Sequence, residues 1–411
     1  MVRRLNSALT AAAARPRLTG RHLVLMPDGS GRQGADALSR RVGLRVGVSS
    51  DIGPTAGFAH LSPGEGMLFE NLHAALVHPD AEQLKALRGA HPGVILATEP
   101  ERIVYASQQA PGSPPLGVAP AAGPSGATLA ALEWGVTATR VGASQFSGRG
   151  VRLAVLDTGV DLLHPDFTGR ALTSASFVPG ATVDDGNGHG THCLGVAAGP
   201  RAPGQGGRYG VAPDAELYVA KVVGDDGSGT DGNILAGLDW ALRCGCAVAS
   251  LSVGSPVDAA DPYSAIFEQL AQRALAQGML IIAAAGNDSL RPGLIAPVNH
   301  PANCPSILAV AAVDPGFMVW AESCGGLGSN GGEVNLAAPG VAIRSTWPRP
   351  GLYQLESGTS AATPFAAGIA ALLAEANPGA RGAALQALLL ASVRPLALPT
   401  RDVGAGLVQA P

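Results

Sequence analysis

Four residues of this chain, Ser360, His189, Asp157 and Asn287, have types and settings that suit acyl transfer. Ser360 stands in Gly358-Thr359-Ser360-Ala361-Ala362-Thr363-Pro364, and the run from Ser360 to Glu375, SAATPFAAGIAALLAE, is almost entirely small or apolar. That run predicts a helix with Pro364 in its first turn, where a missing amide proton costs little. A hydroxyl at a helix start faces free backbone amides and the positive end of the dipole, which suits a nucleophile whose product carries an oxyanion. Taken alone, Gly-Thr-Ser before a helix reads first as an N-cap.

A nucleophilic serine needs a base, and the base needs a carboxylate to orient it. Val151 to Leu156 is a short apolar run that predicts a buried parallel strand. It ends at Asp157-Thr158-Gly159, so Asp157 falls at a strand's carboxyl end, where open α/β sheets carry their sites. Asp185-Gly186-Asn187-Gly188-His189-Gly190-Thr191-His192-Cys193 is a glycine-rich turn entering a helix, with His189 at its start. Met279 to Ala285 predicts another buried strand, ending in Gly286-Asn287-Asp288, where the Asn287 amide can donate to a developing oxyanion. Each segment alone has an ordinary structural reading, turn or cap. In the order Asp, His, Ser they match one of the known chain orders of the serine-hydrolase triad and differ from two others.

These motifs, AVLDTGVD, HGTHCLG, AAAGND and GTSAATPFAAG, resemble those of the subtilase family of subtilisin-like serine proteases. The resemblance covers residues 130–411, closing with Gly404 to Ala410. It implies that Asp157 orients the imidazole, His189 is general base and acid, Ser360 is the nucleophile, and Asn287 with the Ser360 amide forms the oxyanion hole. His192, the second histidine of its motif, is read as structural. The implied function is that of a serine endopeptidase working through an acyl-enzyme, made as a zymogen that removes its own N-terminal segment. Two other readings stay open: a dedicated maturation protease for one partner protein, and a non-catalytic binding module of the same fold. The intact motif residues argue against the module. No dinucleotide or P-loop glycine pattern supports a nucleotide-binding protein.

Around these residues the chain must build a doubly wound, mostly parallel α/β sheet. Strand patterns at Ala215 to Val223, Ala247 to Val253 and Ser306 to Val313 alternate with helix patterns. The helices are one capped by Thr230 or Asp231, one opened by Asp261-Pro262, and one from Gly379 to Val393. The resemblance sets the count at about seven strands. Before it, residues 20–105 alternate between strand and helix, with strands at Arg21 to Met26, Gly66 to Val77 and Val94 to Tyr105, and helices at Ala35 to Val42 and Asp80 to Gly89. By pattern and position this part resembles the subtilase propeptide, a small ferredoxin-like α+β domain that acts as an intramolecular inhibitor; Tyr105-Ala106 is a candidate cleavage site. Residues 1–19 read as a disordered segment and 106–129, rich in Pro, Gly and Ala, as a linker.

The resemblance also implies an extended peptide substrate bound by strand addition. Gly227, Ser228 and Gly229 would form one wall, Ser252, Val253 and Gly254 the other, and Ala284, Ala285 and Gly286 would line the pocket for the side chain before the cut. Asp288 and Asn299 leave that pocket's preference open: the acid favours a basic residue, whereas the Asn stands where the family often has glycine and narrows the floor.

No cofactor is required by this chemistry. Asp166, in His164-Pro165-Asp166, matches a calcium ligand of some family members, but the loop Ala202 to Arg208 offers no Asn or Asp, and calcium takes roughly six to eight oxygens. The five cysteines, Cys193, Cys244, Cys246, Cys304 and Cys324, lack a paired zinc spacing, and their pairing is left open. With 46% hydrophobic residues and a net charge of −4, the chain can bury a large core and gives no reason to expect nucleic acid or an anionic membrane. A monomer with no membrane-spanning run is expected. The start, MVRRLNSALTAAAARPRLTG, is basic, but its apolar stretch is interrupted, so a cytoplasmic location or export by a non-standard route is expected, with secretion the alternative.

Overall fold

In a computed structural model of the chain, residues 16–51, 61–90, 93–107, 132–327 and 331–411 are described. The alternating patterns of the N-terminal third become Leu18–Leu25 (β1), Gly31–Val42 (α1), Arg45–Val48 (β2), Glu65–Phe69 (β3), Ala74–His78 (β4), Ala81–Arg88 (α2) and Ala97–Ala106 (β5). α2 begins in a capping box: Gln83 N–H donates to Asp80, and the Gln83 side chain accepts from Asp80 N–H. The stretch 66–77, expected to hold a single strand, is a hairpin, with β3 and β4 antiparallel and Glu65 opposite His78. Its apolar run, buried from Gly66 to Phe69 and from Ala74 to Val77, is interrupted at Glu70-Asn71-Leu72-His73, where the polar turn formers reverse the chain. β2 has no sequence signal of its own, because only Val48 of its four residues is buried. The sheet order is β5-β1-β4-β3-β2, and α1 and α2 cover one face through Leu38 and Leu87 against Val24, Leu68 and Val77.

The larger part begins with Trp134–Ala138 (α3) and Arg152–Asp157 (β6). It continues through Leu172–Ser176 (β7), His189–Ala198 (α4), Glu216–Lys221 (β8), Ser228–Thr230 (β9), Asp231–Arg243 (α5), Val248–Leu251 (β10), Val253–Gly254 (β11) and Ala265–Ala276 (α6). Leu280–Ala284 (β12), Leu308–Val313 (β13), Leu336–Pro339 (β14), the hairpin Ile343–Trp347 (β15) with Leu352–Glu356 (β16), Thr359–Ala376 (α7), Ala383–Ala391 (α8) and Thr400–Val403 (α9) complete it. Seven strands form one sheet in the order β14-β13-β12-β10-β6-β8-β7, every neighbouring pair parallel. Helices cover both faces, which is why β12 and β13 are buried at every residue and read as unbroken apolar runs. The order reverses beside β6, and the crevice that opens there lies at the end carrying Asp157.

Two helix starts differ from expectation. α6 does not open at Asp261-Pro262; it begins at Ala265, because Ser264 Oγ accepts from Phe267 N–H and provides the cap. α7 begins at Thr359, so Pro364 lies in its second turn, not its first. A proline there has no N–H for the carbonyl four residues back, that of Ser360. The Ser252 hydroxyl donates to that carbonyl at 2.9 Å, and the Cys193 thiol at 3.5 Å. By length and composition α7 is apolar enough to cross a bilayer, but it is the buried central helix of this fold.

Candidate active site

Strand β6 delivers Asp157, fully buried, to the crevice, and α4 begins with His189 facing it. His189 Nδ1 lies 2.7 Å from Asp157 Oδ1, which also accepts from Thr158 N–H at 2.7 Å. The turn before His189 is organised by Asp185. Its carboxylate accepts from Gly188 N–H, Thr191 N–H, and the Thr158 and Thr191 hydroxyls, all at 2.7–2.8 Å. Gly188 has φ 107°, and a Cβ there would run into the Trp347 ring at 2.4 Å, so only glycine fits. Burial opposes a charge on the His189 imidazole, but the Asp157 carboxylate and its hydrogen bond outweigh that, with Cys193 adding to the effect, and the pKa is raised well above the ordinary value. His192 is different: burial drives its pKa down to about 4, and its ring lies 2.9 Å from the Ile343 carbonyl, a neutral structural donor.

Ser360 meets the end of β5. Its Oγ donates to the carbonyl oxygen of Ser107 at 2.8 Å, and Asn287 Nδ2 donates to the same oxygen at 2.9 Å. Asn287 is held in that orientation because its Oδ1 accepts from Thr359 N–H at 3.0 Å and from the Thr359 hydroxyl at 2.7 Å. No hydrogen bond joins His189 Nε2 to Ser360 Oγ; among the described residues Nε2 is buried without a partner. Cys193 packs beneath, and burial raises its thiol pKa, so it serves as a weak donor to the Ser360 carbonyl.

The C-terminal half of β5 lies between β9 and β11. β5 runs antiparallel to β9, with Tyr105 opposite Ser228 and Val104 opposite Gly229, and antiparallel to β11, with Ala106 opposite Val253 and Tyr105 opposite Gly254. Ala106 N–H donates to Gly227 O at 3.0 Å and Ser107 N–H to Ser252 O at 3.1 Å. Ala284 ends β12, and Ala285 and Gly286 lead from it to Asn287. The carbonyl at the serine is that of Ser107, two residues beyond the expected Tyr105-Ala106 bond, because the strand pairing continues through Ala106. Of the expected linker, Ala106 belongs to β5 and Ser107 to this site, and residues 108–129 lie outside the described residues.

β5 brings the rest of its sheet against α5 and α6. Buried Glu101 pairs with Arg21 at 2.6 Å and accepts from Gly232 N–H at the start of α5; Glu99 accepts from the Ser264 hydroxyl and Ile266 N–H at the start of α6. Two carboxylates of one strand face thus sit on two helix N-termini, where negative charge is favoured. From the other side, Arg273 of α6 donates to the carbonyls of Met26 and Leu72 at 2.8 and 2.7 Å.

A sequence model of the Subtilase family matches residues 148–406. The chain belongs to the subtilase family, the subtilisin-like serine proteases. It is 39% identical over 251 residues to M-protease of Shouchella clausii (strain KSM-K16), covering 60% of this chain and 60% of that protein. Over the same length it is 39% identical to Subtilisin BL of Lederbergia lenta, covering 86% of that protein. To Alkaline elastase YaB of Bacillus sp. (strain YaB) it is 37% identical over 287 residues, 69% of this chain and 70% of that protein. The chain therefore spans about three fifths of the length of M-protease.

Many subtilases bind calcium, and in this subtilase Asp166 does not fit that role. Its carboxylate accepts from the Tyr209 and Tyr353 hydroxyls and from Gly204 N–H, at 2.5, 3.0 and 3.0 Å. Donor groups already occupy the oxygens that a cation would need, and the Ala202–Arg208 loop adds no carboxylate. All five cysteines are free. Asp157, His189 and Cys193 present ligand atoms within 4.8 Å of one another, but the first two are committed to each other. Three residues of this subtilase site carry a weak sequence signal or none: Asp185, Thr359 and Ser107. Asp185 had a local signal, an acid four residues before a helix-opening histidine; Ser107, in a stretch without charge or periodicity, had none.

Proposed function

We propose that this chain is a serine endopeptidase whose first substrate is its own peptide bond after Ser107. Asp157 holds His189 with Nδ1–H toward the carboxylate, which leaves Nε2 to take the proton from Ser360 Oγ. Oγ attacks the Ser107 carbonyl carbon, and the negative charge that forms on the oxygen is met by Asn287 Nδ2 and by the Ser360 N–H, one of the amides at a helix start that no helical carbonyl reaches. His189 then returns the proton to the leaving amine, and water repeats the sequence to free the acyl group. The residues up to Ser107 act as the propeptide: β5 fills the groove between β9 and β11, and the Glu99 and Glu101 contacts hold the unit in place.

The observation that carries this reading is the Ser107 carbonyl oxygen, 2.8 Å from Ser360 Oγ and 2.9 Å from Asn287 Nδ2. The test compares the wild-type chain with Ser360→Ala by fluorophosphonate labelling and N-terminal sequencing. Wild type is expected to label and to begin at Gln108, and the variant to do neither. A folded wild type that does not label would overturn the enzyme reading, and one that labels but keeps its N-terminal unit would overturn the self-cleavage.

A further inference from the structure

Lys221, one of only two lysines in the chain, is 1% exposed. It ends β8 beside Asp157, its register partner at the end of β6. Burying an ammonium group is costly unless each of its three N–H donors finds an acceptor. Here all three do. Nζ donates to the Thr158 carbonyl at 2.5 Å, to the Asp184 carbonyl at 2.9 Å and to Asp225 Oδ1 at 2.5 Å.

The three acceptors lie on three separate segments, and each segment carries part of the site. Thr158 follows Asp157: its N–H donates to the Asp157 carboxylate, and its hydroxyl accepts from Gly190 N–H, next to His189. Asp184 lies in the loop that leads to His189. Asp225 lies in the turn from β8 to β9, and this turn is joined to the same loop twice more. Gly186 N–H donates to Asp225 Oδ1 at 3.1 Å, and Asn187 Nδ2 donates to the Asp225 carbonyl at 3.2 Å. Asn187 Oδ1 in turn accepts from His189 N–H at 3.3 Å. Two residues after Asp225, the Gly227 carbonyl accepts from Ala106 N–H of the strand in the groove.

From this convergence we infer that Lys221 is a positioning residue: one buried cation sets the Asp157 turn, the His189 turn and the Gly227 wall in register, with Asp225 as its outer arm. The inference rests on the serine-endopeptidase reading. The residue type fits the task. A tetrahedral ammonium can direct one donor at each of three segments, whereas a guanidinium is larger and its donors lie in one plane. Methionine would fill the space but leave the Thr158 and Asp184 carbonyls without this donor. The arm can be removed with less damage, because the Asp225 side chain is 59% exposed and water can reach its place. Asp225→Ala leaves Lys221 its two carbonyls but releases the turn before Gly227 from both Lys221 and Gly186.

The test compares the wild-type chain, Asp225→Ala, Asp225→Asn and Lys221→Met after self-processing, with active sites counted by fluorophosphonate labelling carried to completion. Two anilide substrates are used. Acetyl-Ser anilide has no group that reaches Gly227, and acetyl-Tyr-Ala-Ser anilide, copied from residues 105–107, supplies the Ala106 N–H. Asp225→Ala is expected to lower kcat per labelled site by about fivefold or more on both, since misplacing reacting groups by about 1 Å can cost 10²-fold. It is also expected to raise KM for the longer substrate alone. Asp225→Asn keeps an acceptor for both donors and should bring kcat back to within about twofold of wild type, the size of a weak neutral hydrogen bond. Lys221→Met should lower kcat by more than Asp225→Ala does; if it does not fold, the two Asp225 variants decide. An Asp225→Ala enzyme with wild-type kcat per labelled site overturns the inference, even if its Tm falls, because the contact is then structural only. If the longer substrate keeps its full advantage in Asp225→Ala, the arm to the Gly227 wall is overturned. Labelling separates this inference from the reading beneath it: a wild type that labels and an unaffected Asp225→Ala remove only Lys221 and its arm, whereas a folded wild type that never labels removes both.

Discussion

Thr359 gives both its backbone N–H and its hydroxyl to a single atom, Asn287 Oδ1, and so decides which end of that amide faces the Ser107 carbonyl. An asparagine flipped by half a turn would present oxygen to an oxyanion, so the orientation matters as much as the residue. Asn287→Ala is expected to lower kcat by about 10²–10³, a range set by subtilisin itself, with little change in KM. Thr359→Val removes one of the two donors, and with it the acceptor of Gly286 N–H, and is expected to lower kcat by about two- to tenfold. Steady-state kinetics on one amide substrate checks both; a Thr359→Val enzyme with unchanged kcat would remove the positioning role.

The pH profile follows from the Asp157–His189 pair. Only neutral His189 can accept the serine proton, and Asp157, against the effect of burial, raises the histidine pKa well above 6.5. Raising the pKa keeps the imidazole charged to higher pH, so kcat/KM is expected to climb through a midpoint on the alkaline side of 6.5. Asp157→Asn removes the charge that raises it: the midpoint should fall, and kcat should drop by about 10⁴. A wild-type midpoint below the ordinary histidine value would contradict the assignment.

Asp166 is expected to stabilise the protein through its own hydrogen bonds and not through a cation. Asp166→Ala leaves the buried Tyr209 hydroxyl without its acceptor. The expected loss is about 1–3 kcal/mol, with Tm falling by about 1–2 °C for each. The fall should be the same in calcium and in excess chelator. A difference between wild type and variant seen only with calcium present would restore the ion to this loop.

Glu101 tests the docking of the N-terminal unit. It is fully buried between Arg21 and the start of α5. In the Ser360→Ala chain, which stays whole, adding Glu101→Ala leaves Arg21 without its carboxylate and with only the Thr230 hydroxyl. It is expected to cost about 3–5 kcal/mol, read as lower Tm and faster proteolysis of residues 16–107. Unchanged protease resistance would show that the docking does not depend on this carboxylate.

Much of this was legible in the chain before any coordinates. Asp157, His189, Asn287 and Ser360 each lie beside a buried apolar run, and such runs announce their strands and helices because both faces of a parallel sheet are covered. β2 and the α6 start were not legible, since they depend on one buried valine and one serine hydroxyl and not on a pattern. Ser107 was hidden for a different reason. Nothing about a serine in a Pro/Gly/Ala-rich stretch marks it as the residue held at an active site; its place follows from the register of β5 against β11, a pairing between residues about 150 positions apart in sequence. Pro364 lies one turn later than its sequence setting suggests, and that turn frees the Ser360 carbonyl for Ser252.

β5 belongs to two structures at once, as an edge strand of the N-terminal sheet and as the strand lying in the groove. An ordinary peptide product leaves a protease one short segment at a time, each subsite letting go independently. Here the segment that would have to leave is fastened to a folded body, so its residence time is set by the release of an entire face, Glu99, Glu101 and Arg273 together. Under the proposed self-cleavage, cutting the chain after Ser107 would leave β5 in the groove, and the lag between the cut and the appearance of activity would measure the grip of that face.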